Sequence, residues 1–140
     1  CPHTWLNNCG GSIGFGMPVA IGAATACPDQ KVIALEGDGS AMYTVQSLWT
    51  MARENLDIVV LIFANQSYKI LQGELTNVGV TNPGKSALEM LSLKDPSLDW
   101  VSVSKGMGVD GVRVDNIEDL VKNFKHGLKE NGPFLIEVMI

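Results

Sequence analysis

Cationic side chains are scarce in this sequence. Ten lysines and arginines face 15 aspartates and glutamates, for a net charge of −5 over 140 residues. A nucleic-acid surface needs clustered cations, so that class of partner is excluded. Long apolar runs are missing too. The longest, 58–64, falls well short of the roughly 20 residues that cross a bilayer, so no membrane partner is expected. Cysteine is limited to Cys1, Cys9 and Cys27, with no CxxC spacing, and histidine to His3 and His126. A zinc centre would need more ligands than these. The odd set of thiols reads as reduced and, with no signal or transit peptide in view, the expected location is cytoplasmic. Low-complexity tracts and internal repeats are absent. So is a starting Met, and the expectation is one domain, residues 1–140, cut from a longer chain.

What is present is apolar enough to fold: 46% of residues are hydrophobic and 18% charged. The small, Ala-rich stretch Gly14–Cys27 reads as a buried helix. Lys31–Glu36 reads as a short strand. A helix from Ser40 follows, with Met42, Val45, Leu48, Trp49 and Ala52 on its core face. Asp57–Ala64 is continuously apolar and β-branched, the pattern of a strand buried on both faces. Gln72–Lys85 reads as a long loop. Ser86–Leu91 and Leu98–Gly106 look helical, with Trp100 in the core. Val112–Val114 is a weak strand. Asp115 and Glu118 suggest a capping box. Ile117, Leu120, Val121, Phe124 and Leu128 then mark the core face of a helix that carries a solvated His126. Gly132-Pro133 ends it, and Phe134–Met139 is a last strand. Strands alternating with helices imply an α/β fold, an open, mostly parallel sheet with helices on both faces.

Two strand ends carry candidate chemistry. The first runs into Gly37-Asp38-Gly39-Ser40. In open parallel sheets, ligands bind beyond the carboxyl ends of the strands, and glycines there let a phosphate approach the backbone. Asp38 repels a phosphate unless a divalent cation lies between them. The second strand ends at Asn65-Gln66-Ser67-Tyr68, where the amide oxygen of Asn65 is a suitable hard ligand. Both segments are equally readable as ordinary strand-to-helix turns, with Asp38 or Ser40 as a cap. Gly79-Val80-Thr81-Asn82-Pro83-Gly84-Lys85-Ser86 matches the P-loop pattern, but that motif needs a buried strand before it, and residues 73–78 are too polar for one. A P-loop NTPase fragment is therefore the weaker alternative. A non-catalytic cofactor-binding or assembly module is another.

The segment GDGSAMYTVQSLWTMARENLDIVVLIFANQSY resembles the motif of thiamine-diphosphate-dependent enzymes, which opens with GDG and closes on an Asn pair. Asp38 and Asn65 stand 27 positions apart, as that motif requires. The resemblance implies thiamine diphosphate and magnesium as cofactors. It also implies that Asp38, the Asn65 side chain and the Ser67 backbone carbonyl ligate the metal. Gly37, Gly39, Ser40, Asn65 and Tyr68 would lie against the diphosphate end. The first Asn of the usual pair is Ala64 here, while the metal-binding second Asn is kept. Upstream, Gly10–Gly16 is similar to the loop that meets the thiamine ring. There Gly11 and Ser12 would flank the cofactor, and Ile13 would be the apolar wedge that bends it. Pyruvate decarboxylases carry a catalytic Glu where this chain has Leu71, so Leu71 is expected to line a substrate pocket. No residue of this chain is assigned as catalytic, because the activating Glu of the family belongs to a separate pyrimidine-binding domain.

Gly37–Tyr43 and Leu48-Trp49-Thr50 look most like benzoylformate decarboxylases, and the stretch 73–84 like acetolactate-synthase-like proteins. The implied activity is decarboxylation of a small 2-oxo acid, or joining of the resulting carbanion to a carbonyl. The implied partner is a pyrimidine-binding domain of the same or a second subunit, in a homo-oligomer.

Overall fold

The computed structural model describes residues 2–140, so Cys1 lies outside it. The elements run α1 (Gly16–Ala26), β1 (Val32–Gly37), α2 (Asp38–Met42), α3 (Ser47–Arg53), β2 (Ile58–Ala64), α4 (Lys69–Asn77), α5 (Lys85–Met90), α6 (Trp100–Gly106), β3 (Asp110–Val114), α7 (Ile117–Gly127) and β4 (Phe134–Met139). The four strands form one sheet in the order β1-β2-β4-β3, and every pairing is parallel. The expected α/β class, with helices on both faces, is what the chain adopts.

Alternation along the strands sorts side chains into two cores. On one face Ala34, Ile58, Val60, Ile62 and Leu135 meet Met17, Ala20 and Ala24 of α1, Leu48 and Met51 of α3, and Trp100 of α6. On the other face Val59, Leu61, Ile136 and Val138 meet Leu120 and Phe124 of α7. β2 is central and covered on both sides, which is why its sequence is an unbroken apolar run. β1 is an edge strand whose Ile33 and Leu35 remain exposed. Lys31 pairs with Asp57, tying the residues that lead into β1 and β2.

Several elements depart from the sequence reading. The helix expected from Ser40 is two, α2 and α3, separated by the turn 43–46. Trp49 is not core. It is 53% exposed and carries the Arg53 guanidinium 5.2 Å from its ring centre. A residue inside an amphipathic period faces outward here because the turn resets the helix phase. The expected loop from Gln72 is helical as far as Asn77, since α4 begins at Lys69. Its composition looked loop-like because α4 contributes no buried residue, so no apolar stripe marks it. The cap of α7 is Asn116 rather than Asp115: its side-chain oxygen accepts from the Asp119 amide at 2.9 Å. Ile117, Val121 and Leu128 are largely exposed, and only Leu120 and Phe124 reach the sheet core. β3 is longer than expected, running from Asp110.

Candidate functional site

Strands β1 and β2 end side by side, Gly37 opposite Phe63, so the loops that follow them leave the same edge of the sheet. β1 passes directly into α2, with Gly37 extended at the cap position and exposed. Asp38, the first residue of α2, is only 2% exposed. One of its carboxylate oxygens accepts from the Gly39 amide at 2.9 Å, and the other from the Gln66 amide at 2.7 Å. The second bond crosses from β1 to the loop after β2 and holds the two strand ends together. Burial pushes the Asp38 carboxyl above its ordinary range, while the amides of Gln66 and Gly39 pull the other way. It is thus a buried acidic oxygen pair held by amides.

Asn65 follows β2. Its side-chain oxygen accepts from the Ser67 amide at 2.9 Å and from the Ser67 hydroxyl at 3.1 Å. Gln66 has a left-handed φ of 56°, which turns the chain sharply there. Ser67 sits opposite Ser92 in an isolated antiparallel bridge, bonded through its neighbours: Tyr68 donates to the Leu91 carbonyl and Leu93 donates to the Gln66 carbonyl. That pattern directs the Ser67 carbonyl away from the Ser92 strand. The Tyr68 ring lies over Gly39, where an added Cβ would fall 2.7 Å from a ring carbon, so Gly39 is glycine for space. Tyr68 also meets Tyr43 edge-on, with ring centres 6.4 Å apart.

The glycine loop is anchored beside this group through Gly14. Gly10, Gly11 and Gly14 all have left-handed φ. Asn8 and Ser12 exchange two bonds: the Asn8 amide donates to the Ser12 carbonyl at 2.9 Å, and the Ser12 N–H donates back at 3.0 Å. Gly14 donates its N–H to the Ser40 hydroxyl oxygen at 2.9 Å. Ser40 therefore links the glycine loop to the strand-end group. Ile13, between these two anchored residues, is 39% exposed. Leu71 lies on α4, half-buried, and does not line the open cleft of about 450 Å³ beyond β2, which is bordered by Asn65, Ser67, Lys69, Gln72 and Lys94.

Two connections here lie outside any sequence motif. The Gln66 contact is made by a backbone amide, which no residue type reveals. Thr44 donates to the Gly14 carbonyl at 2.9 Å, across 30 residues of sequence. The P-loop reading fails on geometry. The residues before Gly79 form the helix α4, not a strand, so no strand leads into the pattern.

Asp38, Asn65 and Ser67 would offer a cation a carboxylate, an amide oxygen and a backbone carbonyl, all hard oxygens. Among the described residues no group of three His, Cys, Asp or Glu side chains could hold a metal. A cation at Asp38 would thus complete its shell with neutral oxygens and with those of a bound anion, as magnesium commonly does. The residues present fit such a group.

Comparison with known proteins places the chain in a family. Residues 1–138 match the family model described as "Thiamine pyrophosphate enzyme, C-terminal TPP binding domain". The chain is 46% identical over 139 residues to the Mycobacterium tuberculosis protein IlvX, named provisionally as an acetolactate synthase large subunit; the match covers 99% of this chain and 27% of that one. It is 34% identical over 137 residues to benzoylformate decarboxylase of Pseudomonas aeruginosa, covering 98% of this chain and 25% of the relative. Among solved structures, the thiamine diphosphate-dependent 4-hydroxybenzoylformate decarboxylase of Rhodococcus jostii RHA1 superposes with a TM-score of 0.81 at 37% identity, covering 91% of this chain and 23% of that one. The chain belongs to the thiamine pyrophosphate enzymes, as their C-terminal cofactor-binding domain. It spans about a quarter of the length of these relatives.

Proposed function

We propose that this domain grips the magnesium–diphosphate end of thiamine diphosphate, within an enzyme that decarboxylates small 2-oxo acids or joins the resulting carbanion to a carbonyl. The observation that carries the reading is the buried Asp38 carboxylate, fixed by the Gly39 and Gln66 amides at the meeting of two strand ends. A divalent ion there offsets the cost of burying that charge and accepts the negative diphosphate beside it. In this reading Asp38, the Asn65 side-chain oxygen and the Ser67 carbonyl hold magnesium. Ligation by Asn65 replaces its bond from the Ser67 hydroxyl. Gly37 leaves room for the diphosphate, and Gly39 admits the Tyr68 ring that walls it. Gly11 and Ser12 border the ring, and Ile13 wedges beneath it.

Thiamine diphosphate, when bound, supplies the electron sink for breaking the bond to the carboxylate. This chain's residues bind, orient and shield it. The opposing wall and the activating acid come from a pyrimidine-binding domain, in the same or a second subunit. Exposed Ile70, Val78 and Met90 around α4 and α5 are consistent with such a neighbour, and a homo-oligomer would provide it. Leu71 borders the 2-oxo acid in this reading.

Calorimetry of thiamine diphosphate binding to the full-length protein tests the reading. Asp38→Asn preserves size and keeps an acceptor for one of the two amides, Gly39 or Gln66, while its NH2 faces the other; the cofactor-free melting temperature checks that the fold persists. Its magnesium-dependent affinity should fall by more than the about 10- to 100-fold typical of losing an outer-shell partner of a metal ligand. Unchanged affinity in this variant, or binding indifferent to chelation, overturns the assignment.

A further inference from the structure

Gly14 is held more tightly than a turn glycine requires. It is buried, and its φ is +81°. A Cβ added there would lie 2.9 Å from Cβ of Tyr43 and 3.1 Å from Cγ2 of Thr44, so the loop backbone rests directly on the chain leaving α2. Both of its backbone polar groups are taken by side chains from that same segment. Its N–H donates to Ser40 Oγ and its carbonyl accepts from Thr44 Oγ1, each at 2.9 Å. The turn 43–46 between α2 and α3 is what brings the Thr44 hydroxyl round to the loop. On the other side of Ile13, Ser12 is fixed by its two bonds with Asn8.

We infer that Thr44 is a positioning residue for the ring-binding loop: with Ser40 it clamps Gly14 and so sets where Ile13 stands against the thiamine ring. The inference rests on the wedge reading of Ile13. Ser40 accepts from Gly14 through its oxygen, which leaves its own proton to donate to a diphosphate oxygen. One hydroxyl then touches the loop and the diphosphate together, by way of the Ile13–Gly14 peptide. Thr44 holds the next peptide, Gly14–Phe15, so the two bonds together fix the left-handed Gly14 dihedrals that join Ile13 to α1, where one bond alone would leave them free to turn. A residue that presents an apolar surface to a reactive ring must be placed to within a fraction of an ångström, and misplacement by about 1 Å can cost about 100-fold in rate.

The test uses the full-length protein with thiamine diphosphate and magnesium. Thr44→Val keeps the shape and removes the donor, and Thr44→Ser keeps the donor. Three quantities are measured: cofactor affinity by calorimetry, deuterium exchange at C2 of the bound cofactor by NMR, and exchange of the Gly14 amide in the ligand-free protein. In Thr44→Val, C2 exchange should fall by about 10- to 100-fold and Gly14 amide protection should drop. Affinity should change by less than about threefold, because the diphosphate contacts stay in place. Thr44→Ser should restore all three quantities. Thr44→Ala replaces the valine variant should that one not fold.

Wild-type C2 exchange in Thr44→Val overturns the inference. So does a parallel loss of affinity, exchange and melting temperature that serine does not rescue, since that marks a purely structural contact. Ile13→Gly in the same assay separates this from failure of the wedge reading. If Ile13→Gly slows C2 exchange and Thr44→Val does not, only the role of Thr44 falls. If neither slows it, the wedge reading falls as well.

Discussion

Asp38 and Ile13 solve opposite physical problems within one loop cluster. Asp38 is a charge taken out of water, held by two amides and raised in pKa by its burial. Ile13 is an apolar side chain left 39% exposed. If Ile13 is the proposed wedge, its useful property is bulk, and its variants should rank by shape. Ile13→Leu and Ile13→Met should retain substantial turnover in the full-length protein, while Ile13→Gly should lose at least about tenfold, as removal of a positioning contact does. Equal kcat for all three variants would leave the residue as part of a turn and nothing more. Asp38, Asn65 and the glycines stand out in the sequence by residue type, so their meeting at one pair of strand ends was legible there. The Gln66 amide and the Thr44 hydroxyl were not legible. One is backbone, and the other depends on a fold that brings together residues 30 positions apart.

At the scale of elements, the strands were readable because burial writes itself into composition. β2 is apolar throughout since both its faces are covered, and β4 was located to the residue. The helices were read less well where tertiary contacts do not impose a stripe. α4 buries nothing, and the turn 43–46 interrupts a period that looks continuous from Met42 to Ala52. Caps depend on single hydrogen bonds, so neighbouring candidates such as Asp115 and Asn116 are separated only by geometry.

α6 has a cap with a pH signature. Asp99 accepts from the Ser102 hydroxyl at 2.7 Å and from its amide at 3.1 Å. These bonds, with the charge of Arg113, hold its carboxyl below the ordinary 3.8. A depressed carboxyl stabilises the folded state above its unfolded pKa, and that contribution is lost as pH falls through the folded value. The window therefore lies below about pH 4. Asp99→Asn keeps an acceptor at the cap and removes the titration. Denaturant midpoints between pH 5 and pH 2.5 should fall less steeply in the variant than in wild type. Parallel profiles would show that the cap contributes no pH dependence.

At the scale of the molecule, a single sheet edge gathers the loops after β1 and β2, and the glycine loop is anchored beside them through Gly14. In the proposed reading, everything this arrangement offers lies on one side of the cofactor. The opposing wall that would keep water from the ring is not among the described residues, and Ile33 and Leu35 on the edge strand stay exposed. This 140-residue chain alone should therefore hold thiamine diphosphate weakly and fail to activate it. Deuterium exchange at C2 on the isolated chain should run at the rate of free cofactor. Marked acceleration would mean that no second domain is needed.

In the proposed reading, the domain recognises a diphosphate through a metal at Asp38. Calorimetric titration of the full-length protein with thiamine diphosphate and with thiamine, each with magnesium and with chelator, tests it most directly. The expected result is strong binding only for thiamine diphosphate with magnesium present. Comparable binding of thiamine, or binding of the diphosphate undiminished by chelation, would contradict it.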